Sequence, residues 1–148
     1  MDYVIRNATR NDMPQVLHLI KELAAFEKEP HAVEVTADDL KYDGFGEHPA
    51  FHCFVADVNS KIEGIALIYN RYSTWKGKIL HLEDLIISKS MRGKGLGTAL
   101  LNKVVWYSKT NESALQNNSS FLKFLIRHKK SNLYPNDDLI CYGTPCSS

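Results

Sequence analysis

Apolar residues recur along the first 110 positions with two different periods. Met13, Val16, Leu17, Ile20, Leu23 and Ala24 fall at helical spacing. A T-x-x-D box at Thr9 and Asp12 precedes them, and its threonine oxygen can accept from an orphan helix N–H. This pattern predicts an amphipathic helix ending near Phe26. Ahead of it "YVIRNA" reads as a strand, and behind it Thr36 and Asp39 suggest a second, short cap before "LKYDGFG". The pattern then changes. "FHCFVADV" alternates as a strand does, Asn59 and Ser60 mark a turn, and "KIEGIALIYNRY" reads as the next strand. After the turn "STWKGK" comes "ILHLEDLIIS", a nearly continuous apolar strand interrupted only by His81, Glu83 and Asp84. Leu96, Ala99, Leu100, Val104 and Tyr107 return to one helical face. Residues 1–109 therefore read β-α-(α)-β-β-β-α. Three consecutive strands with short turns predict an antiparallel meander with helices on its faces.

Between the last strand and the last helix lies R-G-K-G-L-G, with Gly93, Gly95 and Gly97 set among Arg92, Lys94 and Leu96. Glycine lets a backbone approach an anion closely, and the N–H groups and dipole at a helix start favour negative charge. Strand, glycine turn and helix together form a phosphate cradle, to which Arg92 and Lys94 add countercharge. The plainer reading is a tight strand–helix connection with solvated charges. A dinucleotide fingerprint fits less well, because G-x-G-x-x-G is absent and the strands before the turn form a meander.

Glu83 and Asp84 are adjacent on an apolar strand. Neighbouring strand residues face opposite ways, so one is expected in a cleft while the other packs elsewhere. From the residues alone, a role in catalysis and a place as solvent-facing strand-end charges both stay open. Phe26 is equally well the end of a helix core. His48, His52 and Cys53 are not expected to bind a metal: Pro49 breaks any helical face, and His52 and Cys53 point to opposite sides of a strand. Cys53 reads as core.

The chain has 148 residues, enough for one domain with one core, and 44% hydrophobic with 24% charged residues is an ordinary globular composition. A formal net charge of +1 gives no footprint for nucleic acid. No apolar run approaches the roughly 20 residues that span a bilayer, so no membrane partner is expected. "MDYVIRNATR" lacks the pattern of a secretory signal, and Cys53, Cys141 and Cys146 form no disulfide framework. The cytoplasm is the expected setting. Residues 111–148 differ in character, holding 11 Asn or Ser against 10 in the first 110. The expected division is a core over 1–110 and an atypical tail over 111–148.

Arg92-x-x-Gly95-x-Gly97 resembles the R/Q-x-x-G-x-G/A acetyl-CoA pyrophosphate motif of the GNAT N-acetyltransferases. "LIKELAAFEK", "DGFGEHP", "FHCFVA", "YSTWKGK" and "LEDLII" are similar to the diamine acetyltransferase group, which includes spermidine/spermine and thialysine N-acetyltransferases. "YSTWKG" followed by "LED" is more like the thialysine branch. The resemblance covers about residues 1–109. It implies an α/β GNAT fold, a mixed and mostly antiparallel twisted sheet flanked by helices, and transfer of acetyl from acetyl-CoA to a small diamine, polyamine or lysine-like amine. Leu85, Ile86 and Ile87 would pair with the pantetheine arm. Backbone N–H groups of Arg92, Gly93, Lys94, Gly95, Leu96, Gly97 and Thr98 would hold the pyrophosphate. Glu83 would act as base, through water, on the substrate ammonium. Phe26, Glu27 and Trp75 would line the amine site with Glu83 and Asp84. Ser73 stands where the polyamine branch carries Asp, which argues for a short or lysine-like substrate. A homodimer is also implied.

After residue 110 the resemblance stops. A loose alignment puts Leu125 where relatives carry a tyrosine that serves as acid toward the CoA thiolate. Tyr134 or Tyr142 can substitute only if the fold brings one of them near. The tail is therefore expected to be a replaced or out-of-frame sequence, poorly ordered or exchanged between subunits. Two alternatives follow from it: a CoA-binding protein with impaired or no catalysis, and an assembly module whose dimer face is its only function.

Overall fold

The structure, a computed structural model, describes residues 2–75 and 77–111. Lys76 and the whole of 112–148, with Leu125, Tyr134, Tyr142 and all of the expected tail but Asn111, lie outside the described residues. The elements follow the hydrophobic pattern closely. They are β1 (Val4–Asn7), α1 (Met13–Phe26), α2 (Ala37–Phe45), β2 (His52–Val58), β3 (Lys61–Ser73), β4 (Gly77–Ile87) and α3 (Leu96–Thr110). Single 3-10 turns at Arg10–Asp12 and Lys89–Met91 lead into α1 and out of β4.

The four strands form one sheet in the order β1-β2-β3-β4, and each neighbouring pair is antiparallel. Helices cover both faces. On one, α3 buries Leu96, Leu100 and Val104 against Phe54, Ile68, Leu82 and Leu85. On the other, α1 buries Met13, Val16, Leu19 and Leu23 against Val55, Ile65 and Ile86. Cys53 is in this second layer, as its strand position predicts. The fully buried stripe of α1 includes Leu19, while Leu17 and Ile20 are only partly covered, so the helix is rotated slightly from the expected face. Gly64 marks a close approach. A Cβ there would lie 2.6 Å from Ile87 Cδ1, 3.1 Å from Leu100 Cδ1 and 3.2 Å from the Ile86 carbonyl oxygen.

Both predicted caps form, in different ways. At α2, Asp39 N–H donates to Thr36 Oγ1 (3.1 Å) and Thr36 N–H donates to Asp39 Oδ2 (2.8 Å). At Thr9 the box is also present, and there both Thr9 N–H (2.7 Å) and Thr9 Oγ1 (3.0 Å) donate to Asp12 Oδ2. The Arg6 guanidinium holds the same Asp12 through two bonds (2.8 and 3.0 Å) and Asp57 of β2 through two more (3.1 and 3.0 Å). Asp12 thereby ties the start of α1 to β1 and β2.

The bonds from Arg6, partly opposed by burial and reinforced by those from Thr9, hold the Asp12 carboxyl below the usual range. A carboxyl that ionises more readily when folded stabilises the fold above its unfolded value near 4, and that stabilisation is lost as pH falls through the lower folded value. Replacing Asp12 with Asn should cost about 1–3 kcal/mol near neutral pH. Urea unfolding should show that the deficit shrinks as the solution is acidified below about pH 4. A deficit independent of pH would remove the ionic part of this account.

Candidate active site

Two features meet at the C-terminal half of β4: an anchored glycine turn and a cluster of carboxylates. The turn begins where β4 ends. Ser88 N–H donates to the Glu63 carbonyl oxygen at 2.8 Å, and Ser88 Oγ donates to the buried Glu63 carboxylate. Lys61 Nζ pairs with the other Glu63 oxygen at 2.9 Å. From α1, Glu22 Oε1 accepts the Lys89 N–H at 2.9 Å and lies 3.9 Å from Arg92 Nη2. Arg92 Nε donates to the Ile87 carbonyl oxygen at 3.2 Å, and its guanidinium carbon is 5.7 Å from the centre of the Phe26 ring. The Arg92 head thus faces inward, bracing the turn against α1 and β4. Of the two cations expected to add countercharge, Arg92 is engaged with Ile87 and Glu22 under the turn, while Lys94 lies among exposed positions.

Past Arg92 the backbone turns left-handed at Gly93 (φ 73°) and Gly95 (φ 84°). Gly95 is the N-cap of α3, and no side chain caps the helix. A Cβ on Gly95 would meet nothing within 4 Å. The space above the N–H groups of Leu96, Gly97 and Thr98 is open at that point, as an anion cradle requires. The free edge of β4, carrying Leu85, Ile86 and Ile87, has no strand partner among the described residues.

The carboxylates are placed by a β-bulge. Leu67 pairs with Asp84 and Ile68 with Leu82, so Glu83 is an extra residue in β4. Leu82 and Leu85 both pack in the α3 layer although they are three positions apart, an odd number. The two residues between them therefore fall on the α1 face. This overturns the expectation that Glu83 and Asp84 face opposite ways: strict alternation fails at a bulge. His81, also on that face and 2% exposed, has Nε2 3.3 Å from Glu83 Oε2. Burial, then the like charges of Glu83 and of Glu27 just past α1, push the Asp84 carboxyl up to about 7, while His81 draws it the other way. Two adjacent carboxyl groups in surroundings this different are held in different protonation states over part of the pH range.

Phe26 and Glu27 join this cluster from the end of α1, Phe26 through Arg92 and Glu27 through its effect on Asp84. Trp75 does not. It is 94% exposed at the β3–β4 turn, and Gly77 alone is about 20 Å along the strand from Glu83 at ordinary strand rise. The pattern reading did not single out Glu22, Glu63 or Ser88. Glu63 carried a signal, being a lone carboxylate in the apolar run "KIEGIALI" beside a glycine. Among the described residues no group of His, Cys, Asp and Glu is arranged to hold a metal ion, and no helix is long and apolar enough to cross a membrane.

Comparison with known proteins identifies this arrangement. The acetyltransferase (GNAT) family profile matches residues 14–121. The chain belongs to the GNAT family. This is a family of acyl-transferring enzymes, and the glycine turn with its uncapped helix is the part of the GNAT chain described above. The thialysine N-epsilon-acetyltransferase of Mus musculus is 37% identical over 141 residues, covering 88% of this chain and 79% of that protein. The spermidine/spermine N(1)-acetyltransferase-like protein 1 of Homo sapiens is 43% identical over 112 residues, 70% of this chain, which spans only 16% of the human protein. A possible acetyltransferase from Clostridium difficile 630 has the same fold, with a TM-score of 0.59 at 23% identity over 74% of this chain and 73% of that one.

The raised Asp84 carboxyl has a consequence for stability. An unfolded Asp titrates near 4 and the folded one at about 7, so between these values the folded protein holds the extra proton and loses stability as pH rises. Asp84→Asn should raise the melting temperature at pH 8, by roughly 2–4 °C for each kcal/mol regained. The gain should fade toward pH 4. Equal gains at both pH values would show that Asp84 ionises freely.

Proposed function

We propose that the protein is an acetyl-CoA-dependent N-acetyltransferase acting on a primary amine of a small diamine, polyamine or lysine-like molecule. The observation that carries this reading is the bulge at Glu83, which sets two carboxylates on one face immediately before the free strand edge and the glycine turn. Similarity to thialysine and spermidine/spermine acetyltransferases supports the substrate class.

The residues fit acetyl-CoA. The N–H groups of Gly93 to Thr98 would hold its pyrophosphate, with Lys94 as countercharge, and the edge of Leu85, Ile86 and Ile87 would pair with its pantetheine arm. Bound there, it supplies a thioester acyl group. The chain's own residues handle the amine. An alkylammonium has a pKa near 10, so it must lose a proton before its nitrogen can attack. Glu83, Asp84 and Glu27 attract the cation, and Glu83 accepts the proton, directly or through one water. Ser73, in place of a further carboxylate, favours a short or lysine-like amine. Trp75, so far along the strand in one chain, lines the amine site from a second copy in the homodimer that this reading includes.

Two experiments test the proposal. Asn is among the side chains best tolerated in a left-handed backbone, so Gly95→Asn fills the space above the turn with less strain than other residues would. Calorimetry should show CoA affinity weakened roughly tenfold or more, as expected for losing a charge-assisted contact, with the melting temperature nearly unchanged. Undiminished affinity would remove the cofactor assignment. Glu83→Gln should lower kcat/KM for a short diamine by about a hundred- to ten-thousandfold near neutral pH, with the effect narrowing at high pH where free amine is abundant. Equal rates would make Glu83 structural. CoA binding without turnover in the parent protein would leave a CoA-binding protein in place of an enzyme.

A further inference from the structure

His81 is buried, yet the reading above gives it no task. The bulge at Glu83 places it on the α1 face with both carboxylates. Its Nε2 is 3.3 Å from Glu83 Oε2, and its ring packs at 5.0 Å against Tyr69, the residue opposite it in β3. The imidazole is therefore fixed by packing on one side and meets the carboxylate on the other. Glu83 is itself 37% exposed and long, and an exposed Glu samples several rotamers unless a rigid group holds it.

We propose that His81 is a positioning residue: its Nε2–H, donated to Glu83 Oε2, holds the Glu83 carboxylate where it takes the proton from the substrate amine. This rests on the reading of Glu83 as the base. In the step, one N–H bond of the substrate ammonium breaks, its electron pair stays on nitrogen to give the neutral amine, and the proton moves to a Glu83 oxygen. The titratable groups around the imidazole, among the described residues, are Glu83 and Asp84 of β4 and Tyr69 of β3, with Glu27 beyond α1 and Cys53 of β2 reaching Asp84. Asp84 responds to His81, so changes at His81 register in the titration of the pair.

Two amide variants separate positioning from packing. The amide nitrogen of Gln reaches about as far as Nε2, whereas that of Asn stops short. His81→Asn should lower kcat by up to about a hundredfold, the scale set by a misplaced catalytic group, with KM for the amine little changed. His81→Gln should recover most of that loss. In both variants the acid limb of the kcat/KM profile should move to higher pH, because His81 no longer draws the Asp84 titration down. If both variants match the parent in kcat and in the acid limb while Glu83→Gln is impaired, His81 is only a packing residue and the proposal fails. If the two variants lose kcat equally, reach does not matter and the hydrogen bond is not its means. If Glu83→Gln is as active as the parent, or the parent turns over no amine, the reading beneath the proposal fails and takes it down.

Discussion

One extra residue in β4 decides what this molecule can do. In a regular strand, side chains alternate with period two. Leu80 and Leu82 would then share a face with Asp84 and Ile86, while Leu85 and Ile87 would leave the α3 layer. The bulge at Glu83 restores Leu85 and Ile87 to that layer and returns Ile86 to the other. Burying an apolar side chain of this size is worth about 1.5–3 kcal/mol, and three are at stake. The cost is a local break in the ladder, on the scale of about 0.5–1.5 kcal/mol for one hydrogen bond. Burial wins, and the displaced residue is a carboxylate. The same displacement sets Glu83 beside Asp84 and over His81. Bulges next to reactive groups are a recurrent way to re-aim a side chain.

The glycine turn depends on a second pair of carboxylates. Glu63 is the extra residue of a bulge in β3, where Ala56 pairs with Gly64 and Asp57 with Ile62. Burial works against its charge, but bonds from Ser88 and Lys61 outweigh this and keep it ionised. Glu22, one turn before Phe26 on α1, takes the Lys89 N–H and faces Arg92. The segment between β4 and α3 is thus held from both sides before any anion arrives. Groups ordered in advance add little entropy cost on binding. Arg92 contributes to this order from beneath, while Lys94 stays exposed.

The fold was legible because two clear periods covered residues 1–109 and the turns carried their own signals, from Asn59-Ser60 to the glycines. The meander, the caps and the burial of Cys53 follow from those patterns. The position of the glycine turn at the start of α3 was legible for the same reason. The carboxylate pair was half legible. The spacing Leu80, Leu82, Leu85, Ile87 already breaks period two, but a strand of mostly apolar residues hides such a break unless the layers on each side are known. The inward turn of Arg92 was not legible, since it depends on Glu22, which is 70 residues away in the chain. Arg6 joins Asp12 to Asp57, again a contact between distant segments.

The hairpin of β3 and β4 outruns the rest of the sheet. β2 begins at His52, opposite Ile68, so among the described residues 69–73 pair only with 77–81. A lone two-stranded ribbon is marginal in water, and this one carries Tyr72 and Trp75 with most of their surface exposed. Its firm end is the pair where it joins the sheet, Tyr69 opposite His81, with their rings in contact. That pair also faces Glu83. The root of the ribbon and the support of the proposed base are therefore the same side chain. The imidazole thus meets Tyr69 of the ribbon on one side and the Glu83 carboxylate on the other, so this buried histidine joins the root of the hairpin to the bulge.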